Sequence, residues 1–338
     1  MESRELQLLS MLLGKKRTFF ELLELSDSFT LSLAEALQSL KKKKLIEYKN
    51  FLFSLTKKAK VFAEKNNLTP FNSIFIKKGF RKGIDFSSYK DLIKKFKKFH
   101  LKKPESDSSF LQGAMRAEDV IARIALANEY FDLKNKSILV IGDDDLLSIA
   151  LALTKLPKKI IVLEIDERIV DFLNNEAVKQ GFPIKAEKFN VEFPLPEKYL
   201  NNFDCFFSDP VESLEGITLF LSRGASALKK NSSMYFGLTR MDASLKKWFE
   251  IQKRLLKMNF VLTDIFPGFS FYPEENNKLT AKEMNKYLRN FFKVSQPNVD
   301  YYKSVFIRAQ AVSLPKPLIK GKKFLKEKFY FDKETVFV

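Results

Sequence analysis

The stretch Ile138-Leu139-Val140-Ile141-Gly142-Asp143-Asp144-Asp145 decides the fold of this 338-residue chain. A continuous run of β-branched residues and leucine is typical of a strand buried in a parallel sheet, and a glycine at its end favours a tight turn into a helix. Junctions of this kind bind nucleotides in doubly wound α/β folds. Three consecutive aspartates, however, would repel a phosphate group and attract a cation. The stretch therefore predicts an α/β nucleotide fold whose site accepts a positively charged ligand.

The next predicted strand ends in a carboxylate that is placed for a ribose. It reads Lys159-Ile160-Ile161-Val162-Leu163-Glu164-Ile165-Asp166, and Glu164 lies 22 residues after Gly142. This is close to the spacing of about 20 residues at which an acidic residue binds ribose in such folds. Asp166, which precedes Glu167 and Arg168, is instead expected to cap the following helix. We therefore predict that Gly142 and Glu164 bind the nucleotide.

A third strand end is also acidic, in the segment Asp204-Cys205-Phe206-Phe207-Ser208-Asp209-Pro210-Val211-Glu212. Because ligands bind at the carboxyl ends of parallel strands, the acids of the three strand ends are expected to share one crevice. Carboxylates this close need a cation, or some of them remain protonated. With one histidine and one cysteine in the chain, the predicted ligand is an organic polycation rather than a metal ion. For any one of the three consecutive aspartates, a role as a helix cap or a solvated turn residue fits equally well.

These residues resemble the branched-chain polyamine synthases, which are the N4-bis(aminopropyl)spermidine synthases of thermophilic archaea and bacteria. The resemblance runs from about Gln112 to Gln310 and, more loosely, through the N-terminal region. It rests on Gln112 and on five segments: Gly142-Asp143-Asp144-Asp145, Leu163-Glu164-Ile165-Asp166-Glu167-Arg168, Asp209-Pro210-Val211-Glu212, Tyr235-Phe236-Gly237-Leu238-Thr239-Arg240 with the following Ser244-Leu245-Lys246-Lys247-Trp248, and Tyr302-Lys303-Ser304. The chain departs from the family pattern at Val211, where a second proline is usual, and at Asn190, where an aspartate is common. The usual aromatic loop is not recognisable between Phe269 and Val299.

The resemblance implies an α/β fold with a Rossmann-like sheet of the S-adenosylmethionine-dependent transferase type, preceded by a winged-helix domain. It implies transfer of aminopropyl groups from decarboxylated S-adenosylmethionine, a co-substrate that needs no metal, to the internal secondary amine of spermidine. The products are then N4-aminopropyl- and N4-bis(aminopropyl)spermidine and methylthioadenosine. It also implies a homodimer.

Roles for individual residues follow from this chemistry. Asp209 is predicted to be catalytic, as the carboxylate that accepts the proton of the attacking amine. Gly142, Glu164 and Asn190 are predicted to bind the donor, with the Asn190 amide near the adenine edge. The protonated amines of donor and acceptor are assigned to Asp143, Asp144, Asp145 and Glu212, and Gln112 is also predicted to bind substrate.

Four regions are predicted along the chain: a winged-helix-like domain over residues 1–66, a helical connector over 67–110, the catalytic domain over 111–312 and a basic tail over 313–338. In the first region, three helices precede two short strands around Lys49-Asn50. The third helix would enter the major groove in a DNA-binding protein. Its polar face lacks arginine, so nucleic acid is the less favoured partner. That face carries Ser32, Glu35, Gln38 and Ser39.

The overall charge of the chain has two interpretations. It contains 59 Lys and Arg against 41 Asp and Glu, a net charge of +18, which favours nucleic acids or anionic surfaces as partners. A locally acidic cleft in a basic body is compatible with a cationic substrate, because charges are screened over about 8 Å at physiological salt. Alternatively, abundant lysine, 35 phenylalanines and only 11 glycines simply accompany thermophily.

Other features restrict the class of protein. Cys205 lies in an apolar predicted strand and is expected to be a core residue rather than a nucleophile. His100, in a lysine-rich stretch, is expected on the surface. No apolar run approaches the roughly 20 residues that span a bilayer, and no signal segment opens the chain, so we expect a cytoplasmic protein without a membrane partner.

Two other functions fit parts of the sequence. An S-adenosylmethionine-dependent amino-methyltransferase would explain Asp209-Pro210, although such enzymes usually place an aromatic residue where Val211-Glu212 stands. A non-enzymatic winged-helix regulator that senses polyamines would explain the acids and the N-terminal region, and it would bind DNA in a salt-dependent way.

Overall fold

The chain forms an α/β structure with a seven-stranded mixed sheet and a smaller N-terminal helical unit. The computed structural model describes residues 3–26, 28–71, 87–110, 112–273, 281–324 and 332–334. The strands of the large sheet are β3 (Ser137–Ile141), β4 (Lys159–Glu164), β5 (Ile184–Lys188), β6 (Phe203–Ser208), β7 (Leu228–Thr239), β8 (Phe260–Phe271) and β9 (Lys303–Ala311).

The strand order β5-β4-β3-β6-β7-β9-β8 places β3 at the topological switch point. Strands β3 to β7 are parallel, and β9 runs antiparallel to both β7 and β8. In such sheets the ligand crevice opens at the carboxyl ends of the strands on either side of the switch. This arrangement brings together the three strand ends that the sequence marks as acidic, and it confirms the predicted Rossmann-like α/β sheet.

Helices cover both faces of the sheet, which explains why its central strands β3, β4 and β6 are largely apolar. Alternate residues of β3 point into separate cores: Ile138 and Val140 into one, Leu139 and Ile141 into the other. Cys205 is fully buried in the first core, as predicted. The helices on the first face are α5 (Lys90–His100), α6 (Ala117–Glu129), α7 (Leu147–Leu153) and α8 (Glu167–Gln180), and those on the second are α9 (Leu214–Ala227) and α10 (Leu245–Lys257).

The N-terminal unit has the predicted order of elements. Its helices α1 (Ser3–Leu12), α2 (Phe19–Ser26) and α3 (Thr30–Lys42) precede the antiparallel hairpin β1 (Ile46–Lys49) and β2 (Leu52–Leu55) and then α4 (Lys57–Lys65). The Thr56 side chain caps α4 by accepting from the Ala59 amide.

The core of this unit is shared with the segment before β9, which includes α11 (Ala281–Tyr287). The rings of Phe20 and Tyr301 lie 4.5 Å apart, and Met284, Leu288 and Val294 belong to the same apolar cluster. The unit therefore packs directly beside the residues that lead into Tyr302 and Ser304.

All four predicted regions are described only in part, and residues 1–2, 27, 111 and 274–280 lie outside the described residues. Within the connector 67–110, residues 72–86 lie outside the described residues, and within the tail 313–338 the same holds for 325–331 and 335–338. Among the residues that are described, no helix has the length and apolar character needed to cross a bilayer.

Candidate active site

The turn after β3 is organised by backbone and side-chain hydrogen bonds to its acids. Gly142 adopts a positive φ of 75°, which L side chains rarely adopt. The Asp143 carboxylate is buried and accepts from the Ser148 amide at 3.2 and 3.3 Å, so it caps the first turn of α7. Burial raises the pKa of Asp143 to about 8, and repulsion by Glu164 adds to the shift.

The third aspartate of the motif, Asp145, is also bound within the protein. Its Oδ1 accepts from the Met115 amide at 2.9 Å and lies 3.3 Å from the Lys103 ammonium. Lys103 also donates to the backbone carbonyl of Asp144 at 2.8 Å. A lysine of the connector thus neutralises part of the acidic motif.

Asp144 is the aspartate of the three whose carboxyl group no donor contacts among the described residues. It borders a cavity that Met115, Arg123, Asp209 and Phe306 also line. Burial, followed by repulsion from Asp145, raises the pKa of Asp144 well above its usual value. A ligand cation in the cavity would favour its ionised form.

Glu164 at the end of β4 accepts three backbone hydrogen bonds. Its Oε2 accepts from the Asp143 amide at 2.7 Å, and its Oε1 accepts from the amides of Ile165 and Asp166 at 2.8 and 3.0 Å. Burial raises the pKa of Glu164, and these hydrogen bonds oppose the shift. The carboxylate therefore joins the turn after β3 to the end of β4. Oε2 accepts one hydrogen bond and keeps a second lone pair, so the predicted ribose contact stays a prediction.

Three other residues that the sequence analysis singled out at this end of the sheet form hydrogen bonds with nearby groups of the protein. Asp166 caps α8 by accepting from the Arg168 amide, as predicted. Gln112 accepts from the Asp107 amide at 2.8 Å and donates to Asp166 at 3.0 Å. Asn190, two residues after β5, accepts from the Glu192 amide at 2.9 Å. Neither Gln112 nor Asn190 lines the cavity beside Asp144.

Asp209, directly after β6, is held through one oxygen. Its Oδ2 accepts from the Arg123 guanidinium at 2.8 Å and from the Tyr272 hydroxyl at 2.9 Å. Its Oδ1 has no hydrogen-bond donor among the described residues. The neighbouring backbone is Gly237 in β7, which leaves room for the carboxyl group. One carboxylate oxygen thus remains for a ligand.

Glu212 is a further acidic residue at this edge of the sheet, and it does not line the cavity beside Asp144. Its Oε1 accepts from the Thr239 amide at 2.7 Å and from the Thr239 hydroxyl, whereas Oε2 is buried without a donor among the described residues. Burial and the nearby Asp242 carboxyl raise the pKa of Glu212 to about 8, while Lys247 opposes the shift.

Tyrosine rings link Glu212 to Asp209. The Tyr272 hydroxyl donates to Asp209, and its ring lies edge-on to Tyr302 at 5.3 Å between centroids. The Tyr302 hydroxyl in turn lies 3.5 Å from the Thr239 hydroxyl that binds Glu212. Aromatic rings and hydroxyl groups therefore connect the two acids.

Sequence reasoning missed Arg123, Tyr272 and Lys103. A signal for Arg123 was present, because it lies on the apolar stripe of α6 with Val120, Ile124 and Ala127, where an unpaired charge would be costly. Its partner Asp209 is 86 positions away, so the pair becomes visible only in the fold.

The expectation that His100 lies on the surface was wrong. It is partly buried at the end of α5, and its ring lies 5.6 Å from that of Phe96. Burial lowers the pKa of His100. Over the described stretches, no group of three or more His, Cys, Asp or Glu side chains is arranged to hold a metal ion.

Comparison with known proteins shows which family the chain belongs to. The sequence profile of the branched-chain polyamine synthase A C-terminal domain matches residues 91–336. The chain belongs to the branched-chain polyamine synthase family. The match starts within α5 and spans the whole large sheet, so family membership, which the acidic motifs indicated, is confirmed for the part of the chain that carries the site.

Three proteins illustrate the similarity within this branched-chain polyamine synthase family. N(4)-bis(aminopropyl)spermidine synthase of Methanocaldococcus jannaschii is 36% identical over 257 residues, which are 75% of this chain and 73% of the relative. The enzyme of the same name from Thermococcus kodakarensis is 36% identical over 270 residues, 79% of this chain and 76% of its own. The crystal structure of the branched-chain polyamine synthase from Thermus thermophilus, in complex with N4-aminopropylspermidine and 5′-methylthioadenosine, superposes with a TM-score of 0.83 at 28% identity, over 98% of this chain and 92% of that one.

Proposed function

We propose that this chain transfers aminopropyl groups from decarboxylated S-adenosylmethionine to the internal secondary amine of spermidine, with methylthioadenosine as the second product. The relatives that carry the name N(4)-bis(aminopropyl)spermidine synthase support the reaction. The Thermus thermophilus complex contains an aminopropylated spermidine and methylthioadenosine, which are the products that this transfer would leave.

The observation that carries the proposal is a set of three carboxyl groups with oxygen atoms left for a ligand. Among the described residues, no donor contacts the Asp144 carboxyl group, Asp209 Oδ1 or Glu212 Oε2. Asp209 Oδ1 and Glu212 Oε2 are also buried, and buried acceptors without donors are costly unless a ligand supplies the missing N–H groups. A polyamine carries several ammonium groups along one flexible chain, so it can bind all three acids at once.

The reaction requires positioning more than acid catalysis. Methylthioadenosine leaves as a neutral thioether, so no proton has to be delivered to it. The secondary ammonium of spermidine must first lose one proton, after which the nitrogen lone pair attacks the methylene carbon beside the sulfonium and the carbon–sulfur bond breaks. Holding the two reactants in line can supply several kcal/mol of the barrier, of the order of 7.

We assign the individual roles from the contacts. Asp209 Oδ1 accepts the proton of the attacking amine, because it is the free oxygen of an otherwise anchored carboxylate. Asp144 binds an ammonium group beside the donor, and Glu212 binds a distal ammonium of the acceptor. Asp143 and Asp145 hold the turn in shape.

Donor binding is assigned to the turn after β3 and the ends of β4 and β5. Gly142 lets the backbone approach the donor, Glu164 binds the ribose, and Asn190 lies on the adenine side. A decarboxylated donor suits this turn, because the carboxylate of intact S-adenosylmethionine would lie beside the carboxyl groups of Asp144 and Asp145.

For the N-terminal unit, we propose a winged-helix fold that supports the acceptor end of the site. Its apolar core continues into Met241, Met284 and Tyr301, and Lys303 donates to the Glu24 carbonyl. These contacts lie next to Asp242 and Tyr302, which surround Glu212. Structural support of the residues around Glu212 explains these contacts without a role in DNA binding.

Product analysis with the two donors tests the proposed function. Purified protein is incubated with spermidine and either decarboxylated or intact S-adenosylmethionine, and products are identified by mass spectrometry. We expect one or two aminopropyl additions with the decarboxylated donor alone. Methylation by the intact donor would favour the amino-methyltransferase, and polyamine binding without turnover would favour the regulator.

A further inference from the structure

Arg123 is a buried arginine that contacts Asp209 and takes no part in the proposed proton transfer. Its side chain is buried, with 4% of the residue exposed. The guanidinium carbon lies over the ring of Phe306, 4.8 Å from the ring centroid. Burying a guanidinium is costly unless every N–H finds an acceptor. Its Nε donates to the Ser270 hydroxyl at 2.9 Å, and its NH2 nitrogen lies 3.4 Å from both the Tyr272 and Ser304 hydroxyls.

The negatively charged contact of this guanidinium is Asp209 Oδ2 at 2.8 Å. Tyr272 donates to the same oxygen, so Oδ2 already accepts two hydrogen bonds. Burial acts to lower the pKa of Arg123, but Asp209 and Tyr272 reverse that effect and raise it. The guanidinium therefore stays charged and fixes the orientation of the carboxyl group.

We infer that Arg123 and Tyr272 are positioning and specificity-determining residues, because they occupy one oxygen of Asp209 and present the other, Oδ1, as a single acceptor. This inference rests on the proposed function. A neutral secondary amine whose lone pair points at the donor carries one N–H, which Oδ1 accepts. A primary amine in the same place carries two, and its second N–H meets an Oδ2 that is already saturated. Arg123 and Tyr272 thus favour attack by the internal amine of spermidine over attack by a terminal amine.

The chemical step balances with these groups. The secondary amine lone pair forms the new carbon–nitrogen bond, and the electrons of the breaking carbon–sulfur bond remain on sulfur as methylthioadenosine. The product nitrogen is a tertiary ammonium whose single proton faces Asp209 Oδ1. That proton leaves through this oxygen to solvent before a second transfer can start.

Two variants test the inference at different strengths. Tyr272→Phe removes one hydrogen-bond donor to Asp209 Oδ2 and keeps the ring. Arg123→Lys keeps the positive charge but replaces the planar guanidinium, with its fixed N–H donors, by a single ammonium group. We expect kcat to fall about 5- to 10-fold for Tyr272→Phe, as for loss of one hydrogen bond, and about 10- to 100-fold for Arg123→Lys, as for a weakened contact to a charged group. The dissociation constant of methylthioadenosine should change less than 3-fold. Tandem mass spectrometry should show a larger share of linear product, extended at a terminal nitrogen, in both variants.

Arg308→Lys is the matched control. Arg308 is also 4% exposed and also binds a carboxylate, Asp132 at 2.9 Å, but it does not line the cavity. This variant should lower the melting temperature and leave kcat and the product pattern unchanged. If both test variants kept the wild-type kcat and product pattern, or lost methylthioadenosine binding in step with turnover, the inference would be wrong. Absence of transfer in the wild-type protein would instead remove the proposed function.

Discussion

The carboxyl group of Asp209 lies directly against the backbone of Gly237. A Cβ atom on Gly237 would stand 2.1 Å from Asp209 Oδ1 and 3.3 Å from the Arg123 guanidinium. No alternative residue fits at this point of β7 without moving the carboxylate. The glycine in the segment Tyr235-Phe236-Gly237-Leu238-Thr239-Arg240 is therefore explained by its closeness to the proposed catalytic group.

Gly237→Ala is expected to displace Asp209 and to reduce turnover strongly. A displacement of about 1 Å at a reacting group can lower the rate about 100-fold, while overpacking destabilises the fold by about 1–3 kcal/mol. Steady-state kinetics and thermal unfolding measure the two effects. Gly321→Ala is the control, because a Cβ there meets no atom within 4 Å. Wild-type kcat in folded Gly237→Ala would contradict the account.

The three consecutive aspartates should respond differently to replacement by asparagine. Asp144→Asn removes the carboxylate that no described donor contacts, so kcat/KM should fall about 10- to 100-fold, as expected for a hydrogen bond to a charged group worth about 1.5–3 kcal/mol, with little change in melting temperature. Asp145→Asn loses the Lys103 ion pair and perturbs the Met115 contact, so it should lower stability. The assignment of Asp144 fails if its variant binds and turns over substrates normally.

Glu164→Gln tests whether this carboxylate binds the donor. The amide loses one acceptor oxygen in a position that accepts three backbone hydrogen bonds, so some loss of stability is expected. If Glu164 also binds ribose, the dissociation constant of methylthioadenosine should rise about 10-fold or more. Calorimetric titration measures this constant, and the Asn174→Asp variant, which disturbs a hydrogen-bonded side chain between α8 and β5, controls for a general loss of stability. An unchanged constant in Glu164→Gln would make the residue purely structural.

Glu212 should make the ligand-free protein less stable as the pH rises. Its pKa is about 8 in the folded protein against an ordinary value of 4.5. Below the ordinary value both folded and unfolded states hold the proton, and as the pH rises from there to about 8 the unfolded state loses it first, so stability is lost.

Glu212→Gln removes this loss. We expect the free energy of unfolding of the variant to exceed that of the wild type by about 1–2 kcal/mol near pH 8 and by little near pH 4. The gain is smaller than the full pKa shift implies, because part of the side chain is open to solvent. The same variant should bind spermidine more weakly. Denaturant unfolding at a series of pH values measures the difference, and a gap that does not grow with pH would show that Glu212 is not the group responsible.

The parallel strands and their acidic ends were predictable because buried strands are apolar runs and acids stop them. The segments around Gly142, Glu164 and Asp209 each carry that local signal. The antiparallel strand β9 and its place between β7 and β8 carry no comparable signal, since β9 pairs with residues of β7 that lie more than 60 positions away and with residues of β8 that lie more than 30 positions away.

Within the candidate site, the sequence could indicate which residue types converge but not which oxygen atoms stay free. Asp143 and Asp144 are adjacent and chemically identical, yet one caps α7 and the other faces the cavity. That difference depends on the backbone direction of a single turn. The Arg123–Asp209 pair likewise joins a helix and a strand end that meet only after the sheet has formed.

The most direct test of the central claim is the position of the added aminopropyl group on the product. After one turnover of spermidine with decarboxylated S-adenosylmethionine, tandem mass spectrometry of the product distinguishes addition at the internal nitrogen from extension at a terminal one. The account predicts N4-aminopropylspermidine from the wild-type protein and at least about 100-fold less of it from Asp209→Asn, because the reacting amine loses its proton acceptor. A linear product from the wild type, or full activity in the variant, would contradict it.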